Sequence, residues 1–448
     1  MKYRIAIIGS GISGLSAAYF LNKHSNIEVS LFEANDYFGG HTHTVDIQGH
    51  TAQGIQSYPV DTGFLVFNER TYPKLIALFK ELGIPSAYSD MSFSVQAPKN
   101  SIDTLEWSGT SLSSVFAQRL NLLNMPFLGM LKDVMRFNTL ATNLAQSPNS
   151  LDLETPIHHF LEQNKFGKEF INWYLLPMLG CIWSCPPDQM LAFPLATMVR
   201  FCHNHGLLQV INRPRWFTVA GGAKQYVAAI TKQLANAHLN CPILNIKRSD
   251  NKITLTTLKG QEDFDKIIIA THADQALKLL DAPSHNEARL LDAFKFKDNV
   301  AILHKDSSVL PSKKLAWAAW NFESSRLLPK SLIQQPLNPV ENLTDRVCLH
   351  YYLNKLQPLP FTEPILVSLN PIRDINSSKI AATYNYSHPI FDLSTIKAQQ
   401  EFHTIQGGLN TWYAGAWLGY GFHEDGLKAG EAAARGVLAA LSNQDITA

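Results

Sequence analysis

The stretch KYRIAIIGSGISGLSAAYF, residues 2–20, decides the fold of this chain. Residues 4–8 (RIAII) are largely β-branched and apolar, the pattern of a strand buried on both faces. Gly9-Ser10-Gly11-Ile12-Ser13-Gly14 follows as GxGxxG, and Leu15, Ala17, Ala18, Tyr19 and Leu21 suit a helix. IEVSLFEA, residues 27–34, then reads as a second strand with Glu33 near its end. Strand, glycine turn, helix, strand and acid, the acid about 20 residues past the glycines, are the parts of a dinucleotide site. Gly9 makes the turn, Gly11 lets the backbone approach a pyrophosphate, and Gly14 lets the helix pack on the strand. Ser10, Ile12 and Ser13 frame a helix N-terminus whose free N–H groups suit phosphates. Glu33, with Ala34 beside it, is placed to accept from ribose hydroxyls. An acid there disfavours a 2′-phosphate, so FAD or NAD is expected over NADP.

The next residues choose between these nucleotides. EANDYFGGHTHT, residues 33–44, places Gly39-Gly40 shortly after the acid. Here the chain resembles the FAD-dependent amine oxidase and phytoene desaturase superfamily, whose members carry an acid, then Gly-Gly-Arg, then Thr. Glu33, Gly39, Gly40 and Thr42 match, and His41 stands where Arg is usual. The resemblance implies FAD, its pyrophosphate met by backbone donors from two sides. His41 then either donates to a phosphate or faces solvent.

Further stretches fit the same superfamily. VDTGFLVF, residues 60–67, resembles the loop that brings a glycine, here Gly63 followed by Phe64, to the flavin ring. VAGGAKQYVAAITKQL, residues 219–234, resembles the Gly-Gly turn and helix that return the chain to the FAD domain. Ile243 sits where such proteins set backbone against the adenine. FDKIIIATHADQAL, residues 264–277, resembles the strand closing the nucleotide domain, with Ala270, Thr271 and His272 at the cofactor edge. TWYAGAWLGYGFHEDGLKAGEAAARGVLAAL, residues 411–441, reads as strand, glycine loop and helix, the helix N-terminus aimed at the flavin. Gly415-Ala416 replaces the usual polar pair, and Phe422-His423 stands where amine oxidases keep one wall of an aromatic cage. Glu424 and Asp425 fall in the first turn of that helix, where carboxylates cap. VDTGFLVFNERTYP, AWAAWNF, YNYSHPIF and GAWLGYGFHEDG together resemble a bacterial branch of predicted NAD/FAD-binding oxidoreductases associated with modified fatty acids.

The resemblance implies an α/β fold: a Rossmann-like FAD-binding domain (1–75, 206–275, 405–448) interleaved with an α+β substrate domain (76–205, 276–404), the latter an antiparallel sheet plus helices. Local patterns agree: an amphipathic helix at 71–82, strands within 92–110, helices over most of 112–205, and strands at 298–304, 313–321 and 345–353. Trp317 and Trp320 in AWAAW would then share a strand face. LNLLNMPFLGMLKDVMRF, residues 120–137, is a helix that is either buried or a surface that docks on a bilayer or admits an acyl chain, in which case Phe127, Leu128 and Met130 would line an entrance.

At 448 residues the chain is too long for one ordinary core. Only 17% of residues are charged, below the usual quarter, so much of the chain is buried or meets something apolar. A net charge of +1 without charge runs argues against nucleic acid. Five scattered cysteines fit a reducing compartment rather than a disulfide framework. No signal segment or long apolar span is read, so the expectation is a cytoplasmic protein with peripheral contact at the inner membrane left open. Cys185, Cys202, His203 and His205 lie near one another in sequence, but without CxxC or HExxH spacing no metal is expected.

The function expected is an FAD-dependent oxidoreductase that dehydrogenates a lipid-like substrate, such as an acyl chain, by hydride transfer to flavin N5. The electron acceptor stays open. A flavin-dependent amine oxidase, and a non-catalytic flavin-binding partner of a lipid-modifying enzyme, are the alternatives. His423 is the leading catalytic residue, moving a proton or orienting a head group; its other role is a hydrogen bond at the helix start. Tyr386 and His388 either face the flavin or pack the core.

Overall fold

The computed structural model describes residues 2–99, 103–147, 155–183, 187–209, 213–249, 252–324 and 347–447. The opening apolar run forms strand Tyr3–Ile8, the centre of a five-stranded parallel sheet. Across the sheet the order is Asn236–His238, Ile27–Phe32, Tyr3–Ile8, Lys266–Ile269 and Thr411–Tyr413. Ile5, Ile7, Ile267 and Ile268 are wholly buried, as a sheet covered on both faces requires. One face is covered by helix Ile12–Leu21, which packs on the C-terminal helix His423–Thr447. Small residues permit that approach: a Cβ on Gly430 would stand 2.1 Å from the Ser13 carbonyl. Ser16 Oγ donates to Leu427 O at 2.9 Å and ties the helices. The other face carries an antiparallel three-stranded sheet, residues 243–264, whose Ile246 and Leu255 pack with Ala6 and Ile8.

The second large sheet has seven strands. Its order is Ile380–Ile390, Lys295–His304, Leu366–Leu369, Cys348–Tyr352, Trp320–Glu323, Phe93–Pro98 and Thr104–Ser108. It is antiparallel except that Trp320–Glu323 runs parallel to Phe93–Pro98, so the antiparallel sheet expected from the resemblance is a mixed one. The strand expected at 313–321 shrinks to Trp320–Glu323, because side chains take the preceding amides: Ala318 N donates to Asn321 Oδ1 and Ala319 N to Ser92 Oγ. Trp317 therefore leaves the strand. Its Nε1 donates to Pro311 O at 2.7 Å and its ring meets Tyr352, while Trp320 turns to the cavity described below.

Helices over residues 112–204 build the largest core. Helix Met125–Gln146 buries Phe127, Met130, Phe137 and Ala141 at helical spacing. Phe127 and Met130 are thus core residues, not the lining of an entrance, and Leu128 is half-buried. The exposed apolar side chains lie just upstream: Leu112, Leu120, Leu123 and Met125 are 75–84% exposed and Leu122 51%. No helix among the described residues is long and apolar enough to cross a membrane.

Segments distant in sequence meet at Asp61. Its carboxylate accepts from Thr44 Oγ1, from Ala223 N at 3.0 Å and from Gln357 Nε2 at 2.7 Å. Burial pushes this carboxyl up to about 6, against the pull of those donors.

Candidate active site

Each glycine of the first turn has its own physical reason. Gly9 has φ +94°, a conformation that favours glycine. A Cβ on Gly14 would stand 1.8 Å from the Gly9 carbonyl, so helix and strand touch there. Gly11 has an ordinary φ of −62°, and a Cβ on it would meet no protein atom within 4 Å. It faces a cavity of about 860 Å³ that runs between the parallel sheet and the seven-stranded sheet. The helix N-terminus, Gly39-Gly40 and the loop at Gly63 surround this end.

The cavity is lined by Gly9, Ser10, Gly11, Ile12, Ser13, Glu33, Ala34, Gly40, His41, Gly63, Phe64, Ile243, Ala270, Gly415, Ala416, Phe422 and His423, all named from the sequence, and by Tyr386 and His388. Gly14, Thr42 and Glu424 do not line it. Thr42 lies behind the wall, its Oγ1 2.8 Å from His423 Nε2 and 2.5 Å from Tyr226 OH. Glu424 turns away to another helix: its carboxylate accepts from Lys74 N and Leu75 N at the start of Pro73–Leu82. Asp425 takes the local role, accepting from Tyr420 N and Phe422 N. Glu33 accepts from Ser10 N at 2.9 Å and Ser10 Oγ at 2.6 Å, which fixes its carboxylate beside the turn.

His423 lies flat on Phe64, and burial lowers its imidazole to about 3. It is neutral at physiological pH, with Nε2 held between two hydroxyls. Tyr386 OH is 2.7 Å from Thr62 Oγ1, whose own proton goes to His43 O. The phenol also lies 3.1 Å from His43 Nδ1, and these contacts tie the Gly63 loop to strand Ile380–Ile390; burial holds the phenol protonated. His388 has a defined tautomer. Asn299 Oδ1 accepts from Asn370 Nδ2, and Asn299 Nδ2 faces both Lys297 O and His388 Nδ1. Nδ1 must accept, so the proton sits on Nε2 and His388 is a donor rather than a base. Burial lowers it to about 4, so it stays neutral.

His41 is not a solvent-facing residue. Its ring packs with those of Tyr386, His388 and His272, with centroids 5.1, 5.4 and 6.2 Å away, and its buried Nε2 has no protein partner. Burial, then the neighbouring histidines, lowers its pKa. The donor set suits an anionic, ring-bearing nucleotide: an open backbone at Gly11, a helix N-terminus, a buried and unpaired imidazole nitrogen, and an acid held beside the turn.

The far end of the cavity is apolar, walled by Met91, Phe93, Met178, Ile182, Trp183 and Leu207. Among the described lining residues Glu33 is the only carboxylate, and it is already bonded to Ser10. Phe422 lines the cavity with a ring behind it. Phe201 stacks on it at 4.9 Å, and His205 stacks on Phe201 at 3.9 Å.

Comparison with known proteins decides the family. Residues 12–325 match the family described as flavin containing amine oxidoreductase. The chain belongs to this family. It is 24% identical over 283 residues to a probable flavin-containing monoamine oxidase A of Dictyostelium discoideum, covering 60% of this chain and 56% of that protein. The chain thus spans about half the length of that relative. Among solved structures it is similar to cyclohexylamine oxidase from Brevibacterium oxydans, with TM-score 0.67, 17% identity, and 99% and 100% of the two chains covered. It is also similar to a fatty acid isomerase from P. acnes that produces CLA, with TM-score 0.62, 15% identity, and 96% and 97% covered. These structural likenesses establish the fold.

A flavin-containing amine oxidoreductase uses FAD, and the cavity lining suits it: the turn at 9–14 and Gly40-His41 would meet a pyrophosphate, Glu33 a ribose, and Gly63-Phe64 and Gly415-Ala416 the ring system. The supporting layer was not legible. Thr42 as a partner of His423, Tyr226, Asn299 and Phe201 come from separate segments, and no spacing linked them. Cys185 lies outside the described residues; the Cys202 thiol is buried and pushed up to about 12, and His205 stacks on Phe201.

Proposed function

We propose that this family member is an FAD-dependent oxidoreductase acting on an apolar, lipid-like substrate such as an acyl chain. Residues 1–75, 206–275 and 405–448 form its FAD-binding part, and 76–205 and 276–404 its substrate part. The observation that carries the reading is the cavity, continuous from the glycine turn to a chamber whose described lining holds no uncommitted carboxylate. An alkylammonium ion would find no free carboxylate there, whereas a methylene chain gains about 0.8 kcal/mol per buried CH₂. The similar fatty acid isomerase supports the same direction. FAD, when bound, would supply a two-electron acceptor for hydride, and the one proton lost from the neighbouring atom would leave to solvent. The chain's own residues then bind and orient. The Met and aromatic wall excludes water, His388 Nε2–H donates into the cavity, and Tyr386 and His423 hold the Gly63 and Gly40 loops in register.

The test is anaerobic mixing of the FAD-loaded protein with long-chain fatty acids or their thioesters, and separately with primary amines. Bleaching of flavin absorbance by the acyl compounds supports the proposal. Bleaching by amines alone makes the protein an amine oxidase, a reading favoured by the family and by the cyclohexylamine oxidase likeness. Bleaching by neither, with a stable protein partner, leaves a non-catalytic flavoprotein.

A lipid substrate partitions into membranes, and the exposed Leu112, Leu120, Leu122, Leu123 and Met125 offer a surface to a bilayer interface. We assign peripheral membrane contact to this patch. Arg119 beside it favours an anionic headgroup layer.

A further inference from the structure

On the face of the seven-stranded sheet opposite the cavity wall, three ligand-type side chains converge. Trp320 and Tyr351 face the cavity from strands Trp320–Glu323 and Cys348–Tyr352. Side chains alternate along a strand, so Glu323, Cys348 and His350 share the other face. Glu323 and Cys348 are direct cross-strand partners, and His350 lies two residues beyond Cys348. Among the described residues these three form a group whose ligand atoms lie within 4.8 Å of one another.

The geometry points to a zinc site built from Glu323 Oε2, Cys348 Sγ and His350 Nε2. The separations are 3.4 Å from sulfur to nitrogen, 3.0 Å from nitrogen to oxygen and 3.9 Å from sulfur to oxygen. Tetrahedral zinc, with sulfur at about 2.3 Å and nitrogen or oxygen at about 2.0 Å, spaces its ligand atoms roughly 3.3–3.6 Å apart. The observed triangle straddles that range. Carboxylate, thiolate and imidazole together select zinc over the hard cations, and three protein ligands leave a fourth position for water.

The surrounding groups are those a metal site needs. His350 Nδ1 is 2.6 Å from Ser368 Oγ, which is 2.6 Å from His304 Nε2; His304 Nδ1 in turn accepts from Asp306 N. With His304 Nδ1 taken by the Asp306 N–H, His304 donates through Nε2 to Ser368 Oγ. Without the ion Ser368 donates on to His350 Nδ1, and His350 Nε2–H faces Glu323 Oε2 at 3.0 Å. Binding zinc moves the His350 proton to Nδ1, with Ser368 Oγ accepting from both rings. Glu323 Oε1 is held by Arg373 Nε at 2.6 Å, which leaves Oε2. The backbone N–H of Ile372 meets the Cys348 sulfur. Glu323 and a Cys348 thiolate balance the charge of a divalent ion. Burial, then the Glu323 charge, raises the free thiol, and burial keeps His350 neutral. A bound cation reverses the first effect, and the thiol proton leaves to solvent. The cluster is buried except along Glu323 and the half-exposed Arg373, which mark the way in. It would staple two central strands behind the substrate wall.

The experiment uses the full-length, FAD-loaded protein, treated with chelator and then titrated with zinc or cobalt(II). One zinc ion per chain is expected, retained through gel filtration, with a higher Tm. Cobalt(II) in its place gives a thiolate-to-metal charge-transfer band in the near ultraviolet. Cys348→Ser removes that band; Ser368→Ala, which keeps all three ligands, weakens zinc about 10–100-fold. Cys202→Ser, a buried thiol elsewhere, changes neither. If Cys348→Ser fails to fold, Glu323→Gln, nearly isosteric, must weaken zinc at least as far as Ser368→Ala. The site is overturned if the band survives Cys348→Ser, if Glu323→Gln binds zinc like the parent, or if the parent takes up no more zinc than these variants.

Discussion

The His423 imidazole lies on the Phe64 ring with centroids 3.6 Å apart and planes 12° from parallel. This contact joins the first residue of the C-terminal helix to the loop after Gly63, two segments separated by most of the chain. It places an imidazole that burial keeps neutral at the junction, its Nε2 facing the Thr42 and Tyr226 hydroxyls. His423→Phe keeps the stack and loses the bonds to Thr42 and Tyr226, for a stability loss of about 1–2 kcal/mol. The pH–rate profile between pH 5 and 8 should keep its shape. A limb of that profile vanishing in the variant would return a proton-transfer role to His423.

Gly11 and Gly14 separate ligand effects from folding effects. A Cβ at Gly11 meets no protein atom within 4 Å, so Gly11→Val should fold with the Tm of the flavin-free parent and purify colourless. Gly14→Val should fail to fold, since its Cβ would strike the Gly9 carbonyl. Full flavin content in Gly11→Val removes the pyrophosphate assignment.

The buried pair Arg248–Glu287 governs one part of the acid response. Burial raises the Glu287 carboxyl, but hydrogen bonds from Arg248 and Tyr413 outweigh it and hold it down at about 2. A depressed carboxylate stabilises the fold above its unfolded value, near 4.5, and that contribution is lost as pH falls towards 2. Glu287→Gln leaves Arg248 buried without its charge partner and should cost about 3–5 kcal/mol at pH 7. Urea denaturation at pH 7 checks the magnitude; a loss under 1 kcal/mol is the contrary outcome.

Buried histidines govern the earlier part. His205, His304 and His388 are lowered by burial to about 4 from an ordinary 6.5. Between those values the unfolded chain binds protons that the fold refuses. Stability is therefore full above pH 6.5 and falls as pH drops towards 4. His205→Phe keeps the stack on Phe201 and should flatten the Tm-against-pH slope in that window by up to one proton. An unchanged slope refutes the assignment for His205.

Membrane contact has a direct readout. Leu120→Glu with Leu123→Glu changes two exposed side chains, so Tm should move by no more than about 0.5 kcal/mol in stability terms. Co-flotation with anionic phospholipid vesicles should drop severalfold. Equal flotation of parent and variant removes the patch as a bilayer contact.

What was legible in the sequence was local. The βαβ unit, the paired glycines at 39–40 and the C-terminal glycine loop and helix declare themselves because a tight turn, a close ligand approach and a helix start each restrict residue type over a few positions. Glu424 shows the limit: an acid in a first turn reads as a cap, but only packing reveals that it caps Pro73–Leu82 instead of its own helix. Trp317 shows another, since Ser92 and Asn321 intercept the amides that would have extended its strand. Glu323, Cys348 and His350 carry no metal-ligand spacing, because strand register rather than chain proximity assembles them.

The amino-acid sequence by itself determined the dinucleotide fold, since the turn at Gly9, the open backbone at Gly11 and the tight contact at Gly14 each restrict residue type within a few positions, and its resemblance to a known family added FAD. Only the tertiary structure decided which side chains are donors, which are held in reserve behind the wall, and where the cavity turns apolar. Protonation and tautomer follow from burial and from partners hundreds of residues away, and neither is a property of any short stretch.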